Sequence, residues 1–174
     1  IYIDGISIYE KGGNAYCNFG YMSKEYGFYS LLKVEEYYEL FLALYKVGGR
    51  YRSRRIEEVL ELLDMKEYEG AFIGELPAET LPFLYLGKAI LQEPEWLLMD
   101  EPFSALDEFT REKLHDDLLG IWRKTNKTII FVTHNIAEAV YLSDKICVLS
   151  PHPGRLSAVV PVDLPRPRTK AMKD

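Results

Sequence analysis

Apolar residues fall at two different spacings along this chain. Between Val34 and Val47, Tyr38, Phe41, Leu42 and Tyr45 recur three and four positions apart, which predicts a helix with one buried face. Gly48-Gly49 is expected to end it. A second helix is predicted from Ser53 to Asp64, with Ile56, Val59, Leu60 and Leu63 on one side. A third is predicted from Thr110 to Lys124, facing inward with Leu114, Leu118, Ile121 and Trp122. The other spacing is the short unbroken run. Trp96–Met99 and Thr128–Val132 read as buried strands, Lys145–Leu149 as a further strand, and Ile136–Leu142 as a helix between the last two. At the start, Ile1-Tyr2-Ile3 and Ile6-Ser7-Ile8 read as short strands joined by an Asp4-Gly5 turn.

One of these runs carries candidate chemistry. Trp96-Leu97-Leu98-Met99 ends in Asp100-Glu101-Pro102, and proline stops the strand so that both carboxylates stand at its C-terminal tip. In open α/β sheets that edge is where ligands bind. One acid there can hold a magnesium ion, and the next can polarise an attacking water. Two solvated acids at a strand end would look the same. The surroundings argue for chemistry: Phe103-Ser104-Ala105-Leu106-Asp107 follows at once, and Thr133-His134 follows the strand Thr128–Val132.

Taken together these stretches resemble the Walker B strand, D-loop and switch histidine of the ATP-binding cassette (ABC) ATPases. The resemblance implies an α/β, P-loop NTPase-like fold: a mainly parallel sheet, flanking helices and a helical subdomain at about residues 29–81. Residues 1–168 would form a single, partial ABC ATPase domain and 169–174 a C-terminal tail. It further implies ATP and Mg2+ as cofactors. Glu101 would orient or deprotonate water, Asp100 would hold magnesium, and His134 would grip the γ-phosphate. Ser104 and Asp107 would lie in the D-loop that connects two subunits. Phe19–Glu25 resembles the strand leading into the family's Q-loop, with Lys24 where the glutamine stands. An ammonium donates only and cannot ligate a cation as an amide oxygen does; an ordinary surface lysine is the alternative.

Two departures bear on function. Leu76-Pro77-Ala78-Glu79-Thr80 aligns with the family's Leu-Ser-Gly-Gly-Gln signature, counted back from Gly87–Pro94. Pro77 offers neither N–H nor hydroxyl, and Glu79 would bring a carboxylate toward a polyanion, so the signature is expected to be disabled. No Gly-x4-Gly-Lys-Ser/Thr occurs in residues 1–174; Gly12-Gly13-Asn14 is a plain turn. The chain opens at Ile1 inside a strand pattern, without methionine, so a piece of a longer protein with its P-loop upstream is the expectation.

The C-terminal stretch narrows the resemblance. Leu149-Ser150-Pro151-His152-Pro153-Gly154-Arg155 and Leu164-Pro165-Arg166-Pro167-Arg168 are similar to segments of the nitrate/sulfonate/taurine importer branch. A disordered exit linker is the other reading of the Pro-Arg end. The implied partners are a second ABC ATPase subunit, in a homo- or heterodimer, membrane permease subunits and, indirectly, a solute-binding protein. The implied location is the cytoplasmic face of the cell membrane, held peripherally. Composition adds limits: net charge is −6, which argues against a nucleic-acid surface. Cys17 and Cys147 have no metal-ligand spacing. Three functions follow: an importer ATPase subunit, a degenerate cassette acting as structural or regulatory partner, and a soluble cassette protein without membrane subunits.

Overall fold

In the computed structural model, residues 2–3, 6–7, 19–23, 29–168 and 172 are described. The chain divides into two compact units, Ile1–Ile130 and Phe131–Asp174. The first begins with an antiparallel pair, β1 (Tyr2–Ile3) and β2 (Ile6–Ser7). Its sheet is ordered β3-β4-β5, from β3 (Phe19–Met22), β4 (Trp96–Asp100) and β5 (Thr128–Val132). β3 and β4 run parallel, with Gly20 opposite Leu97 and Met22 opposite Met99. These four residues are buried on one face, as the twofold alternation of a strand requires.

Helices occupy the sequence between β3 and β4: α1 (Val34–Leu44), α2 (Gly49–Leu62) and α3 (Leu81–Ile90). α1 is shorter than its periodicity predicts. It stops at Leu44 because Lys46 takes a left-handed conformation (φ 61°) and the Val47 N–H closes on Leu42 O at 3.0 Å. Gly48 and Gly49 therefore do not end α1; Gly48 is the N-cap of α2, which starts four residues earlier than expected. α2 buries Ile56, Val59 and Leu60, and Arg55 reaches from it to the end of α3. There its guanidinium donates to Ile90 O at 2.7 Å and Leu91 O at 2.9 Å.

Two absent side chains set the spacing of this layer. A Cβ on Gly20 would overlap the carbonyl oxygen of Ala89, so only glycine lets α3 lie this close to β3. A Cβ on Gly87 would overlap the hydroxyl of Tyr38. Tyr38 is fully buried and donates to Leu84 O at 3.1 Å, which joins α1 to α3. Tyr37 stacks edge-on against Phe41 and Tyr85 nearby, so the aromatic stripe of α1 is largely core. α4 (Glu108–Thr125) follows β4 and buries Leu114, Leu118, Leu119 and Ile121. Met22, Phe83, Leu86, Met99, Phe103 and Leu114 line one apolar space beneath the tip of β4.

The second unit holds α5 (Ile136–Leu142), β6 (Lys145–Leu149) and β7 (Leu156–Pro161). β6 occupies the residues where a strand was expected. It pairs antiparallel with β7, an element the sequence pattern does not reveal because all six of its residues are exposed. Ser150 closes the connecting turn: its N–H donates to Arg155 O at 2.8 Å and its hydroxyl to Pro153 O at 3.1 Å. The Leu-Ser-Pro-x-Pro-Gly-Arg stretch is thus a hairpin turn. No helix among the described residues is long and apolar enough to cross a membrane.

Gly20→Ala should destabilise the protein by about 1–3 kcal/mol, the usual scale of an overpacked core contact, because the obstacle is backbone and cannot rotate away. Urea unfolding would measure it, and unchanged stability would show that α3 is free to move outward.

Candidate functional site

β4 ends in Asp100 and Glu101, both half-buried, followed by buried Pro102 and Phe103. Glu101 has φ 46°. Four other described non-glycine residues share a positive φ: Lys46, Asp64, Glu93 and Asn126. Each of those lies within three residues of a helix's last turn, where a left-handed residue closes the backbone. Glu101 alone sits at a strand tip. Left-handed backbone disfavours residues with a Cβ, and such strain is characteristic of functional sites. The turn turns back tightly, with Ser104 N–H donating to Glu101 O at 3.2 Å and Leu106 N–H to Phe103 O at 3.2 Å.

Asp107 ends this turn as the N-cap of α4. Its carboxylate accepts from the Thr110 amide at 3.0 Å and from the Thr110 hydroxyl at 2.6 Å. The Thr110 donors hold the Asp107 carboxyl below the usual aspartate range. Ser104 is exposed one turn earlier. A residue that pattern reasoning passes over completes the arrangement. Arg111 donates from Nη2 to Leu106 O at 2.7 Å, from Nε to Phe103 O at 3.4 Å, and from Nη1 to Glu108 at 2.9 Å. One guanidinium thus braces both ends of the 103–106 turn. Its one sequence signal is its place four residues after the cap.

Leu76-Pro77-Ala78-Glu79-Thr80 leads directly into α3. Ala78–Thr80 forms a single 3-10 turn after Pro77, and the N–H groups of Thr80 and Leu81 are consumed by Pro77 O and Ala78 O. Leu76 is half-buried, Pro77, Ala78 and Glu79 are exposed, and Thr80 is buried. Asp100, Glu101, Ser104 and Asp107 therefore share one continuous turn of the first unit, to which the 76–80 segment also belongs. His134 lies in the second unit, exposed, immediately before Asn135, the N-cap of α5. Asn135 caps that helix by accepting from Glu138 N–H at 3.1 Å, and its own N–H donates to Thr133 Oγ1 at 3.0 Å. Asparagine is among the preferred N-cap residues, and here it holds the start of α5. Lys24 lies outside the described residues.

Known proteins resemble this chain in sequence and in fold. The chain is 38% identical over 151 residues to the aliphatic sulfonates import ATP-binding protein SsuB of Bacillus licheniformis, covering 87% of this chain and 58% of that protein. It is 41% identical over 122 residues to the SsuB protein of Bacillus subtilis, covering 70% of this chain and 48% of that one. An ABC transporter ATP-binding protein of Methanocaldococcus jannaschii is 40% identical over 128 residues, 72% of this chain and 48% of its own. The chain thus spans about half the length of these relatives. A solved inward-facing ABC transporter of metal-chelate type superposes with a TM-score of 0.65 at 18% identity, over 72% of this chain and 52% of its own. No protein-family model matches the chain.

Two measurements test the turn. Glu101→Gly and Glu101→Ala both remove the carboxylate, but glycine relieves the left-handed backbone, so the glycine variant should be the more stable by about 1–2 kcal/mol. Equal chemical denaturation midpoints would deny the strain. Thr110→Val removes a donor from Asp107, whose depressed carboxyl stabilises the fold above its ordinary pKa and loses that contribution as pH falls through the lowered value. The variant's Asp107 should titrate at higher pH by NMR, and its acid-induced loss of stability should begin at higher pH. The chain has the α/β fold of the ABC ATPases, and its homologues are ABC transporter ATP-binding proteins.

Proposed function

We propose that this chain acts as an ATP-binding and ATP-hydrolysing subunit of an ABC importer for a nitrate-, sulfonate- or taurine-like solute. Its partners are a second ATP-binding subunit, in a homo- or heterodimer, and membrane permease subunits at the cytoplasmic face, served by a solute-binding protein. The observation that carries this reading is the tip of β4: adjacent carboxylates, the second held left-handed, running into a braced and capped turn. The likeness to sulfonate import proteins supports the solute class.

Within that reading the residues divide the work. Glu101 orients or deprotonates the attacking water, His134 contacts the γ-phosphate, and Ser104 and Asp107 face the partner across the D-loop. Lys24 occupies the Q-loop position, and the segment at about 29–81 is the helical subdomain. Among the described residues no group of three or more His, Cys, Asp or Glu side chains could cage a metal. Magnesium needs no such cage, since one or two carboxylates plus phosphate oxygens and waters complete its shell, and Asp100 fits that role. When bound with nucleotide, the ion would neutralise charge developing on phosphate. Residues 1–174 contain no Gly-x4-Gly-Lys-Ser/Thr, the loop type whose backbone N–H groups cradle phosphate.

The signature region favours a second reading, a degenerate cassette that supports an active partner. The Thr80 and Leu81 amides are spent inside the Ala78–Thr80 turn, and exposed Glu79 would face a polyanion. The two readings combine in a heterodimer whose one productive site uses Asp100 and Glu101 of this chain and the signature of its partner. Glu101→Gln should then lower turnover of the assembled transporter by about 100- to 10,000-fold, the scale of a positioned general base. The matching change in the partner should cost far less. ATPase rates that fall equally in the two variants, or full activity from a homodimer of this chain, would refute the asymmetry; wild-type turnover in Glu101→Gln would remove Glu101 as the base.

A further inference from the structure

The Leu164-Pro165-Arg166-Pro167-Arg168 stretch is not a loose exit from the second unit. The last four carbonyls of a helix have no partner within it, and a short helix has few other bonds to hold it. α5 is seven residues long, yet its C-terminal carbonyls are accounted for. Ala139 O accepts the N–H and hydroxyl of Ser143, at 3.1 and 2.6 Å. Arg168 Nη1 donates to Val140 O at 3.1 Å, Tyr141 O at 2.8 Å and Ser143 O at 2.8 Å. Arg166 Nη2 takes Leu142 O at 2.9 Å.

The tail is itself held at several points. Arg166 Nε pairs with Asp144 at 3.0 Å, and Arg168 Nη2 lies 3.7 Å from the same carboxylate. Arg168 Nη2 also donates to Leu164 O at 3.4 Å, and the Tyr141 hydroxyl to Arg168 O at 3.4 Å. The Arg168 side chain is fully buried, with 0% exposure. A buried cation is retained only where acceptors replace water, and here most of them are helix-end carbonyls. A planar guanidinium can serve several carbonyls at once; an ammonium on a flexible stem cannot hold the same spread.

We propose that Arg166 and Arg168 are positioning residues: by closing the C-terminal carbonyls of α5 they fix the helix whose N-cap turn carries His134. Asn135 and Glu138 hold one end of this helix and the two arginines the other. The link to phosphate rests on the proposed function; the clamp itself does not. An Arg at position 168 is therefore required for geometry rather than charge alone.

Arg168→Lys, which keeps the charge, is the test, read first by hydrogen exchange on the full chain. Amides of Ala139–Ser143 should exchange about tenfold faster or more, the scale of one lost charge-assisted hydrogen bond, while Leu97–Met99 in the other unit stay unchanged. The His134 imidazole resonances should shift in the same variant. In the assembled transporter, turnover should fall several-fold with the KM for ATP unchanged, the mark of a misplaced group rather than lost binding. Unaltered α5 exchange with an unmoved His134 ring would overturn the proposal, as would an equal rise in both units. Should Arg168→Lys fail to fold, Arg166→Lys is judged by the same readouts, with about a threefold change expected for its more exposed side chain. A displaced ring with unchanged turnover upholds the clamp and counts instead against the phosphate role of His134.

Discussion

What the first unit presents at the end of β4 depends on how near α3 can come to β3. Gly20 sets that distance, since any Cβ there would meet the Ala89 carbonyl. The approach buries Met22 and Met99 side by side and lets Phe103 pack beneath the strand tip, where it also meets the ring of His115 at 5.7 Å. Glu101 turns left-handed between the end of β4 and buried Pro102 and Phe103. The left-handed Glu101 thus stands directly above a layer whose spacing is set by a side chain missing on the neighbouring strand.

A second constraint recurs through both units: carbonyls at the ends of elements must find donors. Arg55 serves the end of α3, Lys127 serves Pro94 O at 2.6 Å just before β4, and Arg111 serves the turn after it. β4 is therefore entered and left through segments whose carbonyls are held by cations. These bonds lie between side chain and backbone, so they fix chain path rather than pair identity. Such contacts rigidify a turn without filling it, which leaves Asp100 and Glu101 half-exposed at a firm edge.

How much of this was legible follows from where each partner sits in sequence. β4 could be read because a short apolar run, two acids and a proline are adjacent. The Asp107 cap was local as well, with Thr110 three residues on, although the resemblance gave that aspartate a role at a subunit boundary. The end of α1 was misread because Gly48-Gly49 looks like a stop, whereas Lys46 adopts the left-handed position and Gly48 opens the next helix. β7 carries no alternation of burial, so its sequence offers no period to detect. The arginine braces were out of reach for another reason: their acceptors are backbone atoms, identical at every residue and silent in sequence.

The second unit's helix carries a consequence for how the chain is made. Donors for the carbonyls of α5 arrive 24 to 28 residues after their acceptors. During synthesis α5 emerges first, then the β6–β7 hairpin, and only afterwards the arginines. A seven-residue helix is marginal by itself in water. The helix beside His134 consequently gains these bonds only once residues 164–168 have been made, although its own residues appear far earlier.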